Sequence, residues 1–217
     1  MRTILRSIPA VLLLACSSSA WAQSGGFSAG FWFSAGESLM NSGLGTDQPC
    51  TTVGPLVCES GASQNDIELT NGFRFSLRID LNQGEHFGHE VQYAYNRTAF
   101  KYTNPSDAGT PNQGFAVHQF GYNFLYFFTK DDNRIRPFAT GGVGGNNFVP
   151  PGSSAAQGGG TTKFGFNYGA GVMAKVWGPW GIRVDVRQYV SPKPFGLPLA
   201  SGWLHQEEIS AGVGYTF

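Results

Sequence analysis

The sequence predicts an all-β, membrane-spanning fold: a transmembrane antiparallel up-and-down β-barrel of eight strands. Three observations predict it. Apolar residues alternate with polar or small ones in segments of about ten residues, the pattern of a strand with one face in lipid and the other in a lumen. The connections between those segments are alternately short and long. The last segment stops on an apolar strand residue, Phe217, with no polar tail. No stretch after the leader approaches the run of about 18 apolar residues that a transmembrane helix needs.

Composition agrees. Charged residues are 13% of the 217, about half the roughly 25% of an ordinary soluble domain. Aromatic residues make up 14%, Phe contributing 18 and Gly reaching 31. The formal net charge is zero and no Lys/Arg run occurs. Nucleic acid is thereby excluded as a partner, because that role needs a basic stripe to displace counterions.

Residues 1–22 read as a signal peptide. Arg2 and Arg6 form a positive start, Ile8 to Ala15 a short apolar core, and Ala20-Trp21-Ala22 a small-x-small cleavage site before Gln23. Residues 23–217 are left as the barrel domain. Leu13-Leu14-Ala15-Cys16 also resembles a lipoprotein signal, in which Cys16 would be acylated; cleavage after Ala22 fits the small-residue rule better, and both readings export the chain. With Cys16 removed or lipidated, Cys50 and Cys58 remain, seven residues lying between them in a polar stretch with Gly and Pro. An oxidising compartment predicts a loop disulfide there. Zinc would need four ligands, and no further Cys or nearby His is at hand.

The strands follow in order. In the first, Phe27, Ala29, Phe31, Phe33 and Ala35 alternate with Ser28, Gly30, Trp32 and Ser34. In the second, Phe73, Phe75, Leu77, Ile79 and Leu81 alternate with Gly72, Arg74, Ser76, Arg78 and Asp80. Val91, Tyr93 and Tyr95 against Glu90, Gln92, Ala94 and Asn96 make the third. Phe120, Tyr122, Phe124 and Tyr126 against Gln119, Gly121, Asn123 and Leu125 make the fourth. The fifth, Arg134 to Phe148, is placed by elimination, being Gly-rich and carrying Pro137. Phe164, Phe166, Tyr168, Ala170, Val172 and Ala174 mark one face of the sixth, and Ile182, Val184 and Val186 one face of the seventh. In the eighth, Ile209, Ala211, Val213, Tyr215 and Phe217 oppose Ser210, Gly212, Gly214 and Thr216. Short connections lie near Asn82 to Phe87, Lys130 to Asn133 and Trp177 to Gly181. Long ones lie at 38–68, 103–113, 149–161 and 191–204. That asymmetry is the one expected of a barrel with its long loops outside the cell.

Alternation alone does not separate a membrane barrel from a soluble ligand-carrying one. Here the non-apolar face carries Gly, Ser and Asn rather than the Lys and Glu of a water-facing wall, and the apolar face is crowded with Phe and Tyr, as lipid and its interfaces require. The small face therefore points inward. With it go Arg74, Arg78, Asp80, Glu90, Lys175, Arg183, Asp185 and Arg187. Arg78 is expected opposite or diagonal to Glu90, and Lys175 near Asp185 across the next turn, so opposite charges can pair. An eight-stranded lumen is only wide enough for side chains to fill. A salt-bridge network that closes the barrel is therefore favoured over an ion-selective interior.

Other motifs carry less. His86 and His89 could hold a metal but read better as a solvated turn, and His118 as an interfacial residue. His205 with Glu207 and Glu208 suggests a surface hydrolase, but no local Ser nucleophile stands beside the histidine. Gly141-Gly142-Val143-Gly144-Gly145 lacks the Lys and Ser/Thr of a phosphate loop, and Asn96-Arg97-Thr98 is a glycosylation pattern without meaning within a strand of the wall. No cofactor is expected.

Three stretches carry a family resemblance. They are Phe124 to Phe128 with Arg136-Pro137-Phe138 and the Gly run from Gly141; Gly169-Ala170-Gly171-Val172 through Trp177 to Gly181–Arg187; and Gly212-Val213-Gly214-Tyr215-Thr216-Phe217. Together they resemble the small eight-stranded outer-membrane proteins, the group that includes the OmpA transmembrane domain and the opacity-type porin-like proteins. The resemblance implies residence in the bacterial outer membrane, contact with its lipid, and an assembly signal at Tyr215 and Phe217 read by the barrel-assembly machinery. The function expected is a non-enzymatic structural or surface-interaction role through the long loops, which would reach a surface ligand. A lipid-modifying hydrolase and a small passive channel are the alternatives.

Overall fold

The computed structural model describes residues 27–40, 43–46, 48, 50–51, 55–58, 61–102 and 113–217. The leader read over 1–22, with Cys16, lies outside the described residues. The strands are β1 (Phe27–Met40), β2 (Gly43–Gly45), β3 (Ile67–Leu69), β4 (Gly72–Gln83), β5 (Phe87–Tyr102), β6 (Gln113–Phe127), β7 (Ile135–Val149), β8 (Thr161–Trp177), β9 (Trp180–Pro192) and β10 (Trp203–Thr216). Eight of them form a closed, all-antiparallel barrel in the order β5-β4-β1-β10-β9-β8-β7-β6, with β6 returning to β5. The first and last strands join from Gly30↔Thr216 to Met40↔Gln206. Closure leaves no unpaired edge in the wall, the condition for a sheet to cross lipid.

The eight barrel strands run 12 to 17 residues, longer than the alternating segments in the sequence. The extra length lies at the loop end, where alternation continues but its polarity reverses. Phe115, Val117, Phe148 and Leu204 point inward and are buried, whereas outward Arg97 and Glu207 are exposed. Part of the expected 38–68 loop is likewise strand. β2 pairs with β3, and β3 continues the sheet onto β5 from Ile67↔Tyr102 to Leu69↔Phe100. β7 is a full strand despite its glycines, with Pro137 near its turn-end start, opposite Val172.

Inward glycines make room for large side chains from other strands. A Cβ on Gly214 would fall 2.3 Å from Trp32 ring atoms, and one on Gly171 would fall 2.5 Å from Phe138 Cζ. Protein interiors pack to crystal density, so absent Cβ atoms on one wall are matched by rings from another. Below the loop end the outward rows carry exposed apolar side chains, among them Phe31, Phe33, Val91, Phe120, Val143, Val184 and Val213.

Candidate functional site in the barrel lumen

The lumen is built in three layers. At the turn end, Trp32, Leu125, Phe127, Phe138 and Met173 form a buried apolar layer. At the loop end, Met40, Leu44, Ile67, Leu69, Phe100, Phe115, Val117, Phe148 and Leu204 form another, with Tyr102, Phe195 and Leu197 packed on it. Between them lie four arginines, Arg74, Arg78, Arg183 and Arg187, and four carboxylates, Asp80, Glu90, Asp185 and Glu208, each at most 1% exposed.

The charges are paired in a continuous net. Arg183 bridges three carboxylates: Asp80 at 3.0 Å, Glu90 at 2.7 Å and Asp185 at 2.7 Å. Arg187 reaches Glu90 at 2.7 Å and Asp185 at 3.0 Å. Arg78 reaches Asp185 at 3.2 Å and Glu208 at 2.6 Å, and Arg74 reaches Glu208 at 3.1 Å. Neutral groups complete the shell. Tyr189 and Ser210 hydroxyls each donate to Glu208 at 2.7 Å, and Asn123 Nδ2 donates to Glu90 at 2.7 Å. Arg74 also donates to Gln119 and lies 4.6 Å over the Tyr189 ring, while Gln119 donates to Gln206 at 2.9 Å. Burying charge is costly unless each charge is paired, and every charge in this net has an ion partner, with groups drawn from five of the eight barrel strands. Arg183 also lies 4.7 Å over Phe138, so the middle layer is fastened to the turn-end layer through a cation–π contact.

The expected interior residues Arg74, Arg78, Asp80, Glu90, Arg183, Asp185 and Arg187 all stand in this net. Lys175 does not, which corrects the sequence reading. It is exposed, lies opposite Gly181, and donates from Nζ to the Asp131 carbonyl, whereas Asp185 faces Gly171. A register shift between Lys175 and Trp177 breaks the strict alternation there, and the long stem carries the ammonium to the rim. Arg78 is diagonal to Glu90, as expected, because it faces Gln92 while Asp80 faces Glu90; its ionic partners are nonetheless Asp185 and Glu208. Glu208 escaped the sequence reading because Gln206-Glu207-Glu208 is an unbroken polar run. Counting back by twos from inward Ser210 would have found it. Arg136 was also missed. It is buried at the turn end, 3.8 Å over Phe127 and 2.7 Å from Asp131. Beside it a cavity of about 210 Å³ opens at the mouth and ends on Trp32 and Met173.

The remaining candidates are scattered. His205 and Glu207 face outward, Glu208 inward, so the trio does not converge. His205 Nδ1 meets Gln188 at 3.2 Å. His86 donates to the Phe127 carbonyl at 2.7 Å, whereas His89 bonds the Tyr122 hydroxyl at 2.6 Å, so the two imidazoles serve different partners. His118 shares a hydrogen bond of 2.9 Å with Tyr93. Among the described residues no group of three His, Cys, Asp or Glu could hold a metal ion. Cys50 and Cys58 are disulfide-bonded in the first long loop. Tyr215 and Phe217 lie outward at the turn end, 5.0 Å apart, Tyr215 edge-on to Trp180 at 5.3 Å. With Phe87, Tyr126 and Phe128 they make an aromatic belt of the kind found where lipid meets water.

A family model for the outer membrane protein β-barrel domain matches residues 8–217. The chain belongs to that family. It is a protein of the bacterial outer membrane. Solved structures similar to it include neisserial surface protein A, at 15% identity over 88% of this chain and 97% of that one, with a TM-score of 0.52. OprG from Pseudomonas aeruginosa is similar at 12% identity over 89% of this chain and 98% of that one, with a TM-score of 0.58. At such identities the likeness is one of fold. No curated protein matches the sequence.

Proposed function

We propose that this outer-membrane barrel is a closed, non-enzymatic scaffold whose activity resides in its long external loops, above all the disulfide-stapled segment between β1 and β4. The observation that carries the reading is the filled lumen: an ionic layer at most 1% exposed between two apolar layers. Water and ions would have to cross an apolar layer at each end, and an eight-stranded barrel has no spare width. Tyr215 and Phe217, outward at the turn end, suit recognition by the assembly machinery before the wall enters lipid.

Two experiments test this. Purified protein in planar bilayers is expected to show no steady conductance; a large, stable open channel defeats the proposal. Replacing residues 47–62 with a short Gly-Ser turn is expected to leave a folded barrel in the outer membrane while reducing binding of whole cells to immobilised host matrix. Undiminished binding removes the loop from the reading.

A further inference from the structure

The geometry points to a binding groove on the outside of the barrel for the phosphate-bearing glycolipid of the outer leaflet, with Arg97 as its anion-binding group. The outward row of β5 runs Phe87, His89, Val91, Tyr93 and Tyr95, then Arg97, Ala99 and Lys101. The change from aromatic to cationic marks the level at which the wall leaves the apolar layer, at the loop end. Lys101 has an acidic neighbour, Glu68 at 3.9 Å. Among the described residues Arg97 has no ion pair.

Beside Arg97 the wall is hollowed. Its direct cross-strand neighbour on β6 is Ala116, and Ala116 in turn faces Val149 on β7. Gly114 and Ala116 form the floor of a groove of about 250 Å³ bounded by Tyr95 and Arg97 on one side and by Val149 to Ser153 on the other. Below it His118 stands edge-on to Tyr95 at 5.2 Å, with Tyr93 and Phe120 5.1 Å apart beneath. An occupant would meet a guanidinium at the top, a small-residue floor in the middle and an aromatic wall toward the membrane centre. A planar guanidinium binds phosphate oxygens bidentately, and rings at the interface accept sugar and acyl-chain surface. A lipid carrying phosphate on its sugar headgroup, the lipid A class, has that order of groups along its length.

The test uses the refolded full barrel in detergent micelles, with binding read by native mass spectrometry. The probes are bisphosphorylated lipid A, its dephosphorylated form and inorganic pyrophosphate. Lipid A is expected to bind about ten-fold more tightly than the dephosphorylated lipid, and Arg97→Gln to remove that preference. Ala116→Leu, which fills the floor without changing charge, is expected to weaken both lipids several-fold. Heat-modifiable gel mobility confirms that each variant is folded, and Ala116→Leu keeps the test open if Arg97→Gln is not. Equal lipid A binding by wild type and either folded variant overturns the proposal. Pyrophosphate binding as tight as that of lipid A also overturns it, since the groove would then be a site for a free anion.

Discussion

Glu208 is the residue whose removal should reveal most about the lumen. It is ion-paired with Arg74 at 3.1 Å and accepts from Arg78 at 2.6 Å and from the Tyr189 and Ser210 hydroxyls at 2.7 Å. Glu208→Gln keeps the volume and an acceptor but removes the charge. Arg78 would retain Asp185 at 3.2 Å. Arg74 would retain no carboxylate within ion-pair distance among the described residues, only Gln119 and the Tyr189 ring. Stranding one buried charge costs about 3–5 kcal/mol, and because Gln still accepts hydrogen bonds the expected loss is about 3 kcal/mol. Urea titration of the barrel refolded into lipid vesicles, followed by tryptophan fluorescence in both directions, measures it. The structure makes a sharper statement about the double variant. Arg74→Met with Glu208→Gln removes both charges, so it should lose about 2 kcal/mol less than the sum of the two single variants, within the range seen for residues in contact. If Glu208→Gln changes stability by less than about 0.5 kcal/mol, or if the two losses simply add, the paired-charge account of the interior is wrong.

Three further outcomes follow from the same packing. Gly214→Ala places a methyl group against the Trp32 ring and should destabilise by about 1–3 kcal/mol through overpacking, and Trp32→Leu in the same chain should recover part of that in the same titration. Val184→Arg, on the exposed apolar wall of β9, should cost about 2–4 kcal/mol if it lies near the bilayer midplane; a neutral effect would show that this row is not lipid-facing. Replacing both Cys50 and Cys58 with Ser should leave the unfolding midpoint of the barrel unchanged while speeding protease cleavage in the first long loop, measured as the fragment yield from intact cells.

The barrel was legible in the sequence because a lipid wall imposes a strict period of two. A row such as Phe73 to Leu81 cannot be arranged otherwise without placing Arg74, Arg78 and Asp80 in hydrocarbon. For the same reason the parity of Arg74, Arg78, Asp80, Arg183, Asp185 and Arg187 could be read directly. Parity failed where the constraint relaxes. At the rim, Lys175 sits beside a register shift, and its stem is long enough to choose water over the lumen. At the loop end the hydrophobic side turns inward, so Phe115, Val117, Phe148 and Leu204 carry the opposite sense to the residues below them, and a single rule for the whole strand misses the apolar layer they form. Which carboxylate pairs with which arginine was not legible at all. Six of the eight pairs cross the lumen between strands that are not neighbours in the wall, as Arg78 does to Asp185 and Arg183 to Asp80, so cross-strand register says nothing of them; the two exceptions join Asp185 to Arg183 and Arg187 within β9.

The balance of the ionic layer has an electrical consequence. Four guanidinium groups stand against four carboxyl groups, so with all eight ionised the layer sums to zero. A voltage across a membrane does work on a displaced body in proportion to its net charge. Shifted as a unit along the barrel axis, this layer would therefore couple to no potential, and a Donnan voltage across the outer membrane would have no handle by which to push the interior open.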